Sequence, residues 1–260
     1  MRQEARSRLD RFPLALALAA LALLLGPTGP SAFAADKLTG DVVPAADGEL
    51  IIHPVNHATF VMGWNDQVIY VDPVGGGKRF DGLPRPGLIL LTHEHGDHLS
   101  VETMQAVAGE KTVLVAPPSV AKQLPEKLRA QTIVLTNGET KAVAGIGIEA
   151  VPMYNTTPEH LKFHPKGIGN GYVVTLGGKR VYVSGDTEDI PEMRALKNID
   201  VAFICMNQPY TMTEEQAASA VRAFKPKVVY PYHSRGSDLE KFKNLVDADS
   251  GVEVRLRNWY

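Results

Sequence analysis

From residue 49 onward the chain alternates short apolar runs with turn-forming and charged segments. ELIIHPV (49–55), HATFVMGW (57–64) and QVIYVDPV (67–74) are rich in β-branched and aromatic residues and read as three strands. Asn65-Asp66 turns the last two into a hairpin. After the long loop GGGKRFDGLPRPG, the run LILLT (88–92) has no polar position before Thr92, the pattern of a strand buried on both faces. Ser100 can cap a helix over 100–108, with Glu102 in its first turn. TVLVA (112–116), a helix across 118–128 and QTIVL (131–135) continue the alternation. Beyond the Asn137-Gly138 turn come IGIEAVPM (146–153), a loop over 154–170, and a hairpin over 171–186 that turns at Gly177-Gly178. The last third predicts a helix near 191–197, strand VAFICM (201–206), helix TEEQAASAVRAF (213–224), strand VVYPY (228–232), a helix over 237–247 and strand VEVRL (252–256). Each half is strand-rich first and β/α-alternating afterwards. Two face-to-face sheets with helices outside, a four-layer αββα sandwich of the α/β class, is the packing this pattern predicts.

Residues 1–34 fall outside the pattern. An arginine-rich start, the apolar FPLALALAALALLLG, and small residues at Ala32 and Ala34 predict a secretory signal peptide cleaved after Ala34. The apolar run is shorter than the roughly 20 residues of a spanning helix, so a periplasmic or secreted product without a membrane anchor is expected. Residues 35–48 are polar and predict a loose lead-in to one domain over 49–260. Four arginines and two acids lie in residues 1–34, so their removal takes the net charge from −2 to −4. With no long basic run, a nucleic-acid partner is not expected. Cys205 is the single cysteine and has no internal disulfide partner, which leaves the core, or a metal, to stabilise the domain.

Candidate chemistry concentrates where LILLT ends. His93, His95, Asp97 and His98 form H-x-H-x-D-H, placing three of the eight histidines within six residues. Imidazole nitrogen suits zinc, and aspartate adds a hard oxygen donor with negative charge. Four ligands on so short a loop are too many for one tetrahedral ion with an open position, and two ions sharing the loop is the easier geometry. Asp186 closes the apolar strand VYVSGD, where an acid is poorly solvated unless a cation accompanies it. His233 ends VVYPYH in the same way.

These motifs resemble the metallo-β-lactamase-fold hydrolase superfamily, whose hallmark is the H-x-H-x-D-H loop. VDP (71–73), GDT (185–187) and PYH (231–233) match further landmarks in order, and the resemblance spans roughly residues 49–258. NHATFVM (56–62) looks like the opening strand of the branch related to ascorbate-6-phosphate lactonase and the N-acylethanolamine phospholipase D enzymes. The resemblance implies that His93 and His95 hold one metal, that Asp97, His98 and His233 hold a second, and that Asp186 lies between them. One position departs from the pattern. Where the family usually places a third metal-1 histidine, this chain has Tyr154-Asn155. Asn155 through its carbonyl oxygen, or His164 or His160 folding back from the following loop, are the candidates. Gly167, Gly169 and Gly171 beside His164 favour a close backbone approach there.

The remaining polar and aromatic candidates divide between site and scaffold. His57, expected on an opening strand, is a candidate to approach the ligands from outside, whereas His53 is expected to be structural. Tyr210 and Met212 are candidates to line a substrate pocket, the alternative being a turn that caps the next helix through Thr213. Glu94 is expected to face solvent and Trp64 to pack in the core. The function implied is an exported hydrolase with two divalent cations, zinc or else Mn2+ or Fe2+. It would activate water against an ester, lactone or phosphodiester of a small-molecule substrate, with Asp97 orienting the nucleophile. A β-lactamase is one alternative. A non-catalytic metal or ligand binder, suggested by the missing histidine, is the other.

Overall fold

Two seven-stranded sheets carry the chain, each with its strands in sequence order. The computed structural model describes Met1, residues 38–246 and residues 250–260, so all but the first residue of the predicted signal peptide lies outside the described residues. The first sheet contains β1 (Asp41–Ala45), β2 (Gly48–Asn56), β3 (Thr59–Trp64), β4 (Gln67–Val71), β5 (Leu88–Leu90), β6 (Val113–Ala116) and β7 (Thr132–Val134). The second contains β8 (Thr140–Val143), β9 (Ile146–Met153), β10 (Gly169–Leu176), β11 (Lys179–Val183), β12 (Val201–Cys205), β13 (Val228–Tyr232) and β14 (Glu253–Val254). In both, the first four strands are antiparallel and the last four run parallel. The parallel pairs need crossovers, supplied by α1 (Val101–Val107), α2 (Pro118–Ala121), α3 (Glu126–Ala130), α4 (Pro191–Arg194), α5 (Glu214–Phe224) and α6 (Leu239–Val246), except between β4 and β5, where the connection carries only a 3-10 turn over Gly77–Phe80.

Strand alternation sorts the side chains into layers. Phe60, Met62, Ile69, Val71, Leu88 and Leu90 face the second sheet, where Phe60 stacks on Phe203 with ring centroids 4.0 Å apart. Val61, Tyr70, Ile89 and Leu91 point the other way, onto Met104, Val107, Val120 and Leu124 of the helical layer. Burial on both faces explains why LILLT lacks a polar position. The αββα sandwich is therefore present.

Several expectations need correcting. The lead-in 35–48 contains β1, which pairs Asp41–Ala45 antiparallel to β2. Thr140–Val143 forms an edge strand that its exposed residues concealed. The helix expected across 118–128 is two short helices, because Pro125 withholds the N–H a continuous helix would need and instead caps α3. Of VEVRL, only Glu253 and Val254 pair as a strand. His57 is not on a strand: it occupies the turn between β2 and β3 with φ 55°.

Candidate metal centre

The parallel strands deliver the chemistry, because β4, β5, β11 and β13 each end one or a few residues before a functional side chain. Asp72 follows β4 with φ 42°, and His233 follows β13 with φ 45°, left-handed turns that swing each side chain off the strand axis. Gly185 permits the same for Asp186: its φ is 61°, and a Cβ there would lie 2.8 Å from the Met153 sulfur. Tyr172 of β10 donates its hydroxyl to the Leu91 carbonyl at 2.8 Å, and the Asn170 N–H bonds to the Thr92 carbonyl at 2.9 Å. These contacts tie the second sheet to the base of the histidine loop.

Hydrogen bonding then aims the imidazoles. Asp72 is buried and accepts from the Thr92 N–H at 2.8 Å, the Thr92 hydroxyl at 2.6 Å and His98 Nδ1 at 2.8 Å. With its hydroxyl proton committed to Asp72, Thr92 Oγ1 accepts from His93 Nδ1 at 3.0 Å. One carboxylate and one hydroxyl thus hold a proton on Nδ1 of both histidines and make Nε2 of each the nitrogen that faces a metal. His164 is set the same way, with Nδ1 3.0 Å from Asn155 Oδ1 and 3.2 Å from the Tyr210 carbonyl.

The free nitrogens converge. Ligand atoms of His93, His95 and His164 lie within 4.8 Å of one another, as do those of His93, His98 and Asp186, and those of His57, Asp97 and His233. Asp186 sits among them: Oδ1 is 3.3 Å from His98 Nε2, while Oδ2 is 3.3 Å from His233 Nε2 and 3.5 Å from His164 Nε2. Asp97 Oδ2 is 3.3 Å from His233 Nε2. His98 Nε2, His164 Nε2 and Asp186 Oδ1 are buried without a hydrogen-bond partner among the described residues. Each such orphan costs about 1–3 kcal/mol, and cations between these atoms would satisfy all three. The donors fit a divalent metal of the zinc type.

The electrostatics agree for His93, His164 and the two carboxylates. At His98 burial would lower the pKa, but Asp186 and Asp72 outweigh it and hold the imidazole well above the ordinary histidine value, so a cation bound there would displace a proton from Nε2. Burial, reinforced by His98, holds the His93 imidazole well below the ordinary histidine pKa, so it stays neutral and able to ligate. Burial lowers His164 likewise. Burial alone would raise Asp186, but His233, His98 and His93 outweigh it and keep the carboxylate ionised. Partial burial opposes ionisation of Asp97, and hydrogen bonds from His233 and His57 overcome it.

His164 and Asn155, alternatives in the sequence, turn out to act together. Asn155 holds the imidazole, and the imidazole faces the other histidines. The backbone closes the loop between them, with the Asn155 N–H donating to the His164 carbonyl at 2.9 Å. Tyr154 points away, its hydroxyl donating to Glu192 at 2.9 Å. His160 is not in the cluster: its Nδ1 meets Glu188 at 2.9 Å. Glu188, overlooked in the sequence, accepts from the Thr156 and Thr157 N–H groups at 2.7 Å each and from the Thr156 hydroxyl at 2.8 Å. It pins the loop that carries His164. An acid two residues beyond Asp186 in GDTED was the only signal for it.

His57 stands beside the ligands, with Nε2 3.3 Å from Asp97 Oδ2 and Nδ1 2.9 Å from the Tyr260 hydroxyl. Tyr210 lines a cavity of about 560 Å³ together with Asn56, His57, Phe163, Asn207 and Arg235, over the His95, Asp97, Asp186 and His233 side chains. Met212 is buried in the core instead, and Thr213 caps α5 through a capping box with Gln216. Glu94 is half-buried, with one carboxylate oxygen buried, rather than facing solvent. His53 is on β2 and bonds to the Thr39 carbonyl. Trp64 packs at the edge of the core and donates to the Ala46 carbonyl.

A family model described as a β-lactamase superfamily domain matches residues 52–233. The chain belongs to this superfamily. Among other members, it is 33% identical over 218 residues to a UPF0173 metal-dependent hydrolase of Pyrococcus furiosus, which covers 77% of this chain and 93% of that one. A crystal structure from Parabacteroides distasonis, described as a metal-dependent hydrolase, is 43% identical, with a TM-score of 0.78 over 84% of this chain and 98% of that one. The superfamily fold extends to Igni18, a metallo hydrolase of Ignicoccus hospitalis, at 24% identity and a TM-score of 0.68, covering 80% of this chain and 94% of that one.

Proposed function

We propose that this superfamily member is a metal-dependent hydrolase that binds two divalent cations, zinc in preference to Mn2+ or Fe2+, and acts on a small-molecule ester, lactone or phosphodiester. The observation that carries the reading is the convergence, at and beneath the floor of an open cavity, of buried imidazole and carboxylate atoms that have no hydrogen-bond partner among the described residues. His93, His95 and His164 would hold one cation and Asp97, His98 and His233 the other, with Asp186 between. When bound, such cations make a water molecule acidic near neutral pH and stabilise an oxygen that gains charge.

The chain's own residues do the rest. Asp72 and Thr92 present the His93 and His98 lone pairs, and Asn155 presents that of His164. Asp97 is about half exposed and borders the cavity, where His57 and His233 steady it. Held ionised, it is suited to accept a hydrogen bond from the attacking water and orient it, rather than to store a proton. A cavity of this size suits a small molecule. The case for a non-catalytic binder rested on a missing imidazole, and His164 removes that motive.

The test is to strip metal with a chelator, restore zinc, manganese or iron, and assay an aryl ester, a lactone and bis(4-nitrophenyl) phosphate. Two ions per chain and metal-dependent turnover of at least one class are expected. Failure of all three metals to bind, stabilise the protein or restore hydrolysis would refute the reading. Export follows from the composition of residues 1–34, and N-terminal sequencing of the mature protein should read from Ala35. An intact Met1 start on exported protein would contradict it.

A further inference from the structure

Arg235 is the one lysine or arginine among the residues lining the cavity above the candidate metal centre. It is exposed and, among the described residues, makes no ion pair and no side-chain hydrogen bond. Its neighbours hold it in place. The guanidinium carbon lies 4.8 Å from the centre of the Tyr260 ring, a cation–π distance. The Tyr260 hydroxyl accepts from the Ser234 N–H at 2.8 Å and touches His57 Nδ1 at 2.9 Å, which ties the platform beneath Arg235 to the site itself.

The two carboxylates on the cavity wall do not neutralise this charge. Asp186 is enclosed by His98, His164 and His233, and Asp97 is engaged by His57 and His233. Arg235 also borders a neighbouring groove of about 470 Å³, where the other arginine, Arg257, is already paired with Asp41 at 2.6 Å. The unspent cation therefore sits at the rim between the two spaces. The cavity further offers an aromatic wall: Phe163 meets Tyr210 edge to face at 4.9 Å, with Tyr210 47% exposed. A guanidinium fork matches an oxyanion, and aromatic faces match a planar or apolar body.

We propose that the substrate is an amphipathic organic anion, whose carboxylate or phosphate group, remote from the bond to be broken, is bound by Arg235 while its apolar body lies against Phe163 and Tyr210. The inference rests on the hydrolase reading only for the word substrate; the anion site stands on Arg235 and its surroundings.

The experiment uses metal-loaded protein and two inert probes, 3-phenylpropionate and 3-phenylpropionamide, titrated by calorimetry. Wild type should bind the carboxylate about tenfold or more tightly than the amide, the worth of a charge-assisted contact. Arg235→Gln should collapse that preference to within about threefold, and Arg235→Lys should keep part of it. Metal content and melting temperature of each variant exclude misfolding. In parallel, mono-4-nitrophenyl glutarate should outpace 4-nitrophenyl valerate in wild type, with the difference in KM. Absence of a wild-type preference overturns the proposal. So does a preference that survives Arg235→Gln, which would assign the anion to the metals. Anion-selective binding without hydrolysis of either ester leaves the anion site standing and counts against the hydrolase reading, so the two failures are told apart.

Discussion

Asp72→Asn isolates the hydrogen-bonding logic of the site, because it preserves side-chain size and removes one acceptor. In the wild type the two oxygens take three donors: the Thr92 N–H at 2.8 Å, the Thr92 hydroxyl at 2.6 Å and His98 Nδ1 at 2.8 Å. An asparagine whose oxygen keeps the Thr92 N–H turns an NH2 group toward the other two. His98 can relieve the clash by giving up its Nδ1 proton and keeping one on Nε2, which faces Asp186 Oδ1 at 3.3 Å. The metal-free fold then loses charge-assisted hydrogen bonds worth about 1.5–3 kcal/mol. For a domain of this size that lowers the melting temperature by about 3–12 °C. The lone pair aimed at the cation disappears, and metal affinity should fall about 10–100-fold. Chelator-competition titration with zinc measures the affinity, and thermal unfolding of chelator-treated protein measures the stability. His53→Gln, at a histidine bonded to the Thr39 carbonyl on β2, is the control and should leave affinity unchanged. An Asp72→Asn protein with wild-type zinc affinity would refute the tautomer argument.

Three further outcomes are expected. His164→Ala should lower bound zinc from two ions to one per chain by elemental analysis, and retention of both would show that Asn155 alone completes the first set. Glu188→Gln should loosen the loop over 155–164. Burial would raise the Glu188 pKa, but hydrogen bonds from His160, Thr156 and Thr157 bring it down to about 2. A folded-state pKa below the unfolded value stabilises the protein fully above about pH 4.5 and loses that contribution as pH falls toward 2. The melting-temperature gap between wild type and Glu188→Gln should therefore be widest above pH 5 and close on acidification; a constant gap would count against it. Phe60→Ala removes a fully buried ring stacked on Phe203 and should cost about 3–5 kcal/mol in urea unfolding while leaving zinc stoichiometry intact.

Much of the fold is readable because its signals are local. A strand buried on both faces must be apolar throughout, as LILLT is, and a hairpin needs residues such as Asn65 or Gly177 that accept positive φ. Edge strands escaped for the complementary reason: β8 exposes most of its residues, so its sequence resembles a loop. The break at Pro125 was visible as a residue but not as a consequence, since α2 alone is only four residues long.

By itself the sequence determined the H-x-H-x-D-H loop, the strand-end Asp186 and His233, and the sandwich that brings them together. Each of these is a short-range pattern whose meaning survives without coordinates. Only the tertiary structure decided which residue completes the first histidine set and what aims it. Asp97 and His233 are 136 residues apart, and His57 and Tyr260 are 203 apart. No spacing rule reaches across such distances. His164 enters because a loop closed on itself and pinned by Glu188 turns the imidazole inward, while Tyr154, at the position where a histidine was expected, turns out toward Glu192. Arg235 acquires its meaning in the same way. Its charge is plain in the sequence, but its lack of an ion pair among the described residues and its place on the cavity rim exist only in the folded chain.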